Sequence, residues 1–188
     1  MAQEIILLSS TQYPGYGGAA TNTYALIKHL KNLGYNVFGI FFENIDIDVD
    51  PDGLGNIIRI DRNIFENNNL VQIEMYRIIL KEMLTKDPDI MLCKNYKAPI
   101  YCSMLFPSAK NIYLVSGITS VSLFYPGKSS QYLLNNDIEI PDFSAEIKTM
   151  EISDLVVANS LISLKLLHKI YPNYIEKIYP YPIDTTKC

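Results

Sequence analysis

Histidine and cysteine are scarce in this sequence: two histidines, His29 and His168, and three cysteines, Cys93, Cys102 and Cys188. Both shortages close off chemistry. An odd, scattered set of cysteines without CxxC or Cys–His spacing is neither a disulfide frame nor a zinc site, and the thiols read as buried or idle in a reducing compartment. His29 lies between Lys28 and Leu30 on the outer side of a helical pattern, and His168 occupies a similar place further along. Neither falls at the carboxyl end of a strand, so neither reads as a catalytic base. Ser9, Ser10, Ser116, Ser120 and Ser160 lack both a nearby histidine and a G-x-S-x-G context, which argues against a serine hydrolase.

Basic patches and long apolar runs are missing as well. The net charge is −4, and no lysine–arginine cluster is interleaved with aromatics, so nucleic acid is not an expected partner. Glu4 immediately precedes the four-residue run Ile5-Ile6-Leu7-Leu8, which is not a signal peptide, and no segment approaches transmembrane length. A cytoplasmic location is the expectation, with a peripheral membrane contact left open.

What is present is a foldable chain: 188 residues, 48% hydrophobic and only 19% charged, enough for one domain with a real core. Short apolar runs read as buried strands at Ile5–Leu8, Val37–Phe42, Ile57–Ile60, Ile90–Cys93, Asn111–Val115, Leu155–Ala158 and Ile178–Tyr181. Helical spacing falls at Ala20, Tyr24, Ile27, Leu30 and Leu33, closed by Gly34. It recurs at Leu70, Ile73, Tyr76, Ile79, Leu80 and Met83 within Asn67–Leu84, then over Pro99–Phe106, Ser144–Ile152 and Leu161–Ile170. Ser160 is placed to cap the last of these, with Leu164, Leu167 and Ile170 inward. Residues 43–56 read as a polar, acidic loop and 116–141 as a long irregular, functional region. Alternation of strands and helices predicts an α/β, doubly wound parallel sheet of Rossmann-like type. Its ligand site belongs beyond the carboxyl ends of the strands, where Ser9–Gly18, Glu43–Asp46, Lys94–Ala98, Ser116–Ser120 and the helix start at Ser160 converge.

Two constellations stand out. Gly15-Tyr16-Gly17-Gly18-Ala19-Ala20 opens the first helix and satisfies G-x-G-x-x-A, with Glu43 near the end of the second strand as a ribose-binding acid. The dinucleotide turn, however, follows its strand almost directly, whereas Thr11-Gln12-Tyr13-Pro14 intervene here. A loop offering backbone N–H groups to a phosphate or sugar is the favoured reading; an NAD-type site and a purely structural turn stay open. In the acidic loop, Asp48-x-Asp50-x-Asp52-Gly53 matches half of a calcium loop, but Arg59 stands where the bidentate glutamate belongs. With Asp46, these residues read as a solvated surface loop, and no metal is expected.

Three separated stretches resemble one family. Residues Gly17 to Val37 are similar to the GGAE…ELA-x-x-L-x-x-x-GHEV opening of retaining GT-B glycosyltransferases of family 4. Ser153-Asp154-Leu155-Val156-Val157-Ala158-Asn159-Ser160 resembles the ADLVIAVS segment, and Glu176 to Asp184 resembles EKI-x-VIPNGVD. The resemblance implies one half of a GT-B architecture, with residues 1–188 forming the N-terminal, acceptor-side domain. It further implies transfer of a sugar from a nucleotide diphosphate sugar to a hydroxyl acceptor, with retention and with neither cofactor nor essential metal. Gly17 and Gly18 would supply amides to the donor diphosphate; Tyr13, Asn95, Gly117 and Asn159 would contact the acceptor. The loop at Ser116–Thr119 lacks the histidine many relatives carry, and Tyr181-Pro182 replace the usual Asn-Gly, so no catalytic base is assigned. The family's E-x7-E motif and its arginine–lysine pair belong to a C-terminal domain beyond Cys188, expected in cis or in trans. A non-catalytic sugar- or nucleotide-binding module is the alternative.

Overall fold

The computed structural model describes residues 5–10, 18–43, 48–49, 56–84, 86–141 and 143–180. In chain order these form β1 (Ile5–Ser10), α1 (Gly18–Asn32), β2 (Asn36–Glu43), β3 (Asp48–Val49), β4 (Ile57–Asp61), α2 (Asn63–Glu66), α3 (Leu70–Leu84), β5 (Ile90–Lys94) and α4 (Ala98–Leu105). They continue with β6 (Lys110–Val115), α5 (Thr119–Phe124), α6 (Ser130–Asn135), α7 (Ser144–Ile152), β7 (Leu155–Ala158), α8 (Leu161–Ile170), a 3₁₀ segment (Pro172–Lys177) and β8 (Ile178–Pro180). One sheet runs in the order β3-β4-β2-β1-β5-β6-β7-β8. All pairings are parallel except that of β3 with β4, which is antiparallel.

The strand order explains where the helices go. From β1 the chain winds through α1 to β2 on one side. The later connections, from β4 to β5 and onward to β8, travel the other way. Right-handed crossovers in opposite directions deposit helices on opposite faces, and the strands where the direction reverses, β1 and β5, mark the crevice at which such sheets bind ligands.

Strand alternation then sorts the side chains. Ser9, Cys93, Tyr113, Val156 and Ile178 stand level across neighbouring strands on one face. That face is sealed by two apolar clusters. The first packs Phe42, Ile60, Leu80, Cys93, Tyr101 and Leu105 together; the second packs Tyr113, Leu133, Met150, Val156, Leu166 and Leu167. Rings of Phe42, Phe65 and Tyr101 meet with centroids 5.1 Å apart, joining β2, α2 and α4. The opposite face is covered only partly. Helix α1 seats Ile27 against Ile6, Leu8, Val37, Phe41 and Ile57. It comes close because Gly39 has no side chain: a Cβ there would stand 2.6 Å from the Ile27 Cδ1 atom. On the same face Ile112, Leu114, Leu155 and Val157 stay half-buried.

Several expectations change. The region 116–141 is not irregular throughout, since α5 and α6 lie inside it. Leu70 is 66% exposed at the start of α3, leaving Ile73, Tyr76 and Leu80 as the buried stripe. In α8 the buried pair is Leu166 and Leu167, while Leu164 and Ile170 are half-buried. The Ser160 cap is present, its Oγ accepting from the Ser163 N–H at 3.1 Å. Within the acidic loop Asp48–Val49 pair with Ile58 and Arg59 as β3; Asp46, Asp50 and Asp52 lie outside the described residues. No described helix is long and apolar enough to cross a membrane.

Candidate functional site

Strands β5, β6 and β7 end together, and their carboxyl ends surround a cavity of about 550 Å³. Lys94 and Asn95 enter it from β5, Leu114 to Gly117 from β6, Thr119 and Ser122 from α5, Val157 and Asn159 from β7, and Leu26 from α1. The floor is the half-covered face of the sheet, and the rim is polar. Amides and hydroxyls over an apolar base suit a ligand rich in hydroxyl groups, which needs many hydrogen bonds and one flat apolar contact.

Three of the four acceptor-side residues named from sequence, Asn95, Gly117 and Asn159, line this one cavity. Tyr13 and Gly17 lie outside the described residues, and Gly18 is the first residue of α1. Asn95 has φ +74°, a left-handed conformation that asparagine tolerates better than most side chains. Its carbonyl accepts from the Ala98 N–H at 3.2 Å, turning the chain into α4. The next residue is held from the other side. The Thr149 Oγ1 donates to the Tyr96 carbonyl, and the Tyr96 ring packs on Phe143. Asn159 Nδ2 reaches the Ser116 carbonyl at 3.4 Å and links the ends of β7 and β6.

The Ser116–Gly117–Ile118 segment is fixed by a group that sequence reading missed. Glu146, wholly buried in α7, accepts from the backbone N–H groups of Thr119 and Ser120 at 2.9 and 3.0 Å. The Tyr171 hydroxyl donates to the same carboxylate at 2.6 Å, which leaves its oxygen to accept from Ser120 Oγ at 3.0 Å. The amides that open α5 are therefore occupied by the protein's own anion. A signal for this was available. Glu146, Thr149, Met150 and Ser153 share helical spacing and are all buried, so three polar groups sit on an inward stripe.

Other titratable groups nearby have structural work. Burial, then the neighbouring Cys102, pushes the Cys93 thiol up; it accepts from Ser9 Oγ at 3.1 Å and stays protonated. Burial, then the Glu146 charge, likewise raises Tyr113. His168 is half-buried with Nε2 3.4 Å from the Ile178 carbonyl. Glu43 is held by Arg59, with Nη2 and Nε at 2.6 and 3.1 Å from one carboxylate oxygen, so the acid expected of a ribose contact already carries an ion pair. No group of three or more metal-ligating side chains occurs among the described residues.

No protein-family model matches the sequence, and no curated protein matches it. Solved structures do. Sucrose-phosphate synthase from Thermosynechococcus elongatus superposes with a TM-score of 0.60 at 14% identity, over 97% of this chain and 48% of that one. The lipopolysaccharide outer core galactosyltransferase WaaB gives 0.57 at 17%, over 96% and 47%. The fold matches that of GT-B glycosyltransferase domains. UDP-GlcNAc 2-epimerase from Methanocaldococcus jannaschii is also similar, with a TM-score of 0.55 at 15% identity over 95% and 45%. At these identities the likeness concerns the GT-B fold alone, and the chain spans about half the length of the structures it matches.

Proposed function

We propose that this chain is the acceptor-side half of a glycosyltransferase. A sugar would pass from a nucleotide diphosphate sugar to a hydroxyl of a compound held in the cavity at the ends of β5, β6 and β7. Retention of configuration and the family-4 assignment follow from the sequence resemblance. The donor-binding groups belong to a second domain, in cis or in trans, with Gly17 and Gly18 facing the diphosphate from this side. The observation that carries the reading is the convergence of Asn95, Gly117 and Asn159 on one polar-rimmed cavity beside the reversal in strand order. Catalysis of this kind needs a fixed acceptor and donors aimed at the leaving diphosphate.

Two measurements test this. Simple glycosides titrated into labelled protein should move the amide resonances of Asn95, Gly117 and Asn159. Product from UDP-, ADP- or GDP-sugars should form only when a donor-binding domain is supplied. Sugar binding that never leads to transfer in the presence of that domain would favour a non-catalytic binding module. Tight binding of NAD at the same face would overturn the proposal; the Glu43–Arg59 pair weighs against that outcome.

A further inference from the structure

Of the described residues that line the cavity, Lys94 alone carries a charge, and no carboxylate is among them. The other half-buried lysines of the described residues are tied down. Lys86 meets Asp89 at 2.8 Å, Lys97 meets Glu66 at 2.6 Å, Lys177 donates to the carbonyls of Glu151 and Ser153, and Lys31 is engaged too. The Lys94 side chain has no hydrogen bond or ion pair among the described residues. We propose that the compound bound in this cavity carries an anionic substituent, a phosphate or a carboxylate, and that the Lys94 ammonium receives it. This rests on the acceptor-side reading and specifies the chemistry of the acceptor.

Strand geometry places the lysine. Side chains alternate along β5, so Cys93 turns into the sealed face and Lys94 stands with Leu92 on the face that α1 only partly covers. The lysine is thereby held at the base of the cavity, below Asn95, Ser116, Thr119 and Asn159. Burial pulls its proton affinity below that of a free lysine. A half-dried cation without a counter-charge is unfavourable, and an anion entering the cavity restores much of what was lost. Of the alternative receptors for an anion, the start of α5 is already taken by Glu146 and the start of α1 is assigned to the donor diphosphate, which leaves the Lys94 side chain to do this. The net charge of −4 gives an anionic ligand no long-range attraction, so recognition must be local. The volume fits as well: about 550 Å³ leaves space for a substituent beside a single sugar ring.

The test uses the 188-residue chain and four probes: methyl glucoside, glucose 6-phosphate, glucuronate and UDP. Binding is followed at the amides of Asn95, Gly117 and Asn159. Glucose 6-phosphate or glucuronate should bind roughly tenfold more tightly than methyl glucoside, the scale of one charge-assisted hydrogen bond. Which of the two binds tells phosphate from carboxylate. Lys94→Met should reduce the charged sugar to the level of the neutral one, and Lys94→Arg should keep most of the preference. Thermal melts of both variants check the fold, and a Lys94→Met protein at least as stable as the parent is expected, since it loses an unpaired cation. Equal binding of neutral and charged sugars, unaffected by Lys94→Met, would overturn the proposal and leave the acceptor cavity standing. Loss of UDP binding in Lys94→Met, with no effect on charged sugars, would also overturn it, by giving the lysine to the donor. Failure of every sugar to move these amides would sink both the proposal and the reading beneath it.

Discussion

The two faces of the sheet have been put to different uses. On the sealed face Phe42, Leu80, Cys93 and Val156 have no exposure at all, and the helices α2 to α4 and α6 to α8 contribute to the clusters above them. On the other, α1 seals β1 and β2 and stops short. Leu114 and Val157 remain half-buried, and Lys94 sits among them. The same alternating strands thus feed a dry core on one side and the floor of a cavity on the other. The cavity is in this sense a by-product of winding direction. Among the described residues, reversal of the strand order sends most helices to one face and leaves the far portion of the other half-buried.

The sharpest way to break this contrast is a truncation on the sealed side. Phe42→Ala should cost about 3–5 kcal/mol in a urea melt, the range for large aromatic truncations in a core that cannot collapse. Next comes the carboxylate that ties the sealed side to the cavity rim. Glu146→Gln loses the charge and turns its NH2 toward the Thr119 N–H, since the carbonyl oxygen stays with Ser120 and Tyr171, and about 2 kcal/mol is expected. Faster hydrogen exchange at the Thr119 and Ser120 amides should accompany it. On the open face Val157→Ala should cost only about 1 kcal/mol, because a half-buried site forms no closed void. A Val157→Ala loss as large as that of Phe42→Ala would refute the difference between the faces.

The smallest effect concerns the polar edge of the sealed side. The Lys97 hydrogen bond, opposed by burial and helped by Tyr101, lowers the Glu66 carboxyl below its ordinary 4.5. A carboxylate depressed by folding contributes stability above its unfolded value and loses it as pH falls through the folded one. Melts of the parent and of Glu66→Gln should therefore differ near neutral pH and converge in acid, below 4.5. The pair is largely solvated, so the difference should be small.

Much of this is legible in the sequence because apolar runs and helical spacing are local properties. Helix α7, strand β7 and helix α8 fall where the spacing predicts, and Ser160 caps as expected. Helices α5 and α6 leave no such trace, for a physical reason. Six residues are too few to display a period, and the first is stabilised by a carboxylate 26 positions away from Ser120. The convergence of Asn95, Gly117 and Asn159 can be read from parallel strands ending together. The environment of Lys94 cannot, since a single lysine at a strand end gives no sign of whether a partner waits for it. Glu146 reads as one more solvated acid unless its neighbours on the inward stripe are considered together.

The outer borders of the sheet carry a consequence of their own. Among the described residues, one border is β8, where Pro180 has no N–H to offer, and the other is β3, which runs against the rest. An incoming strand would find no donor at Pro180, so pairing is obstructed at that position of the border. One proline thus blunts part of an edge beside a broad face that stays half-buried.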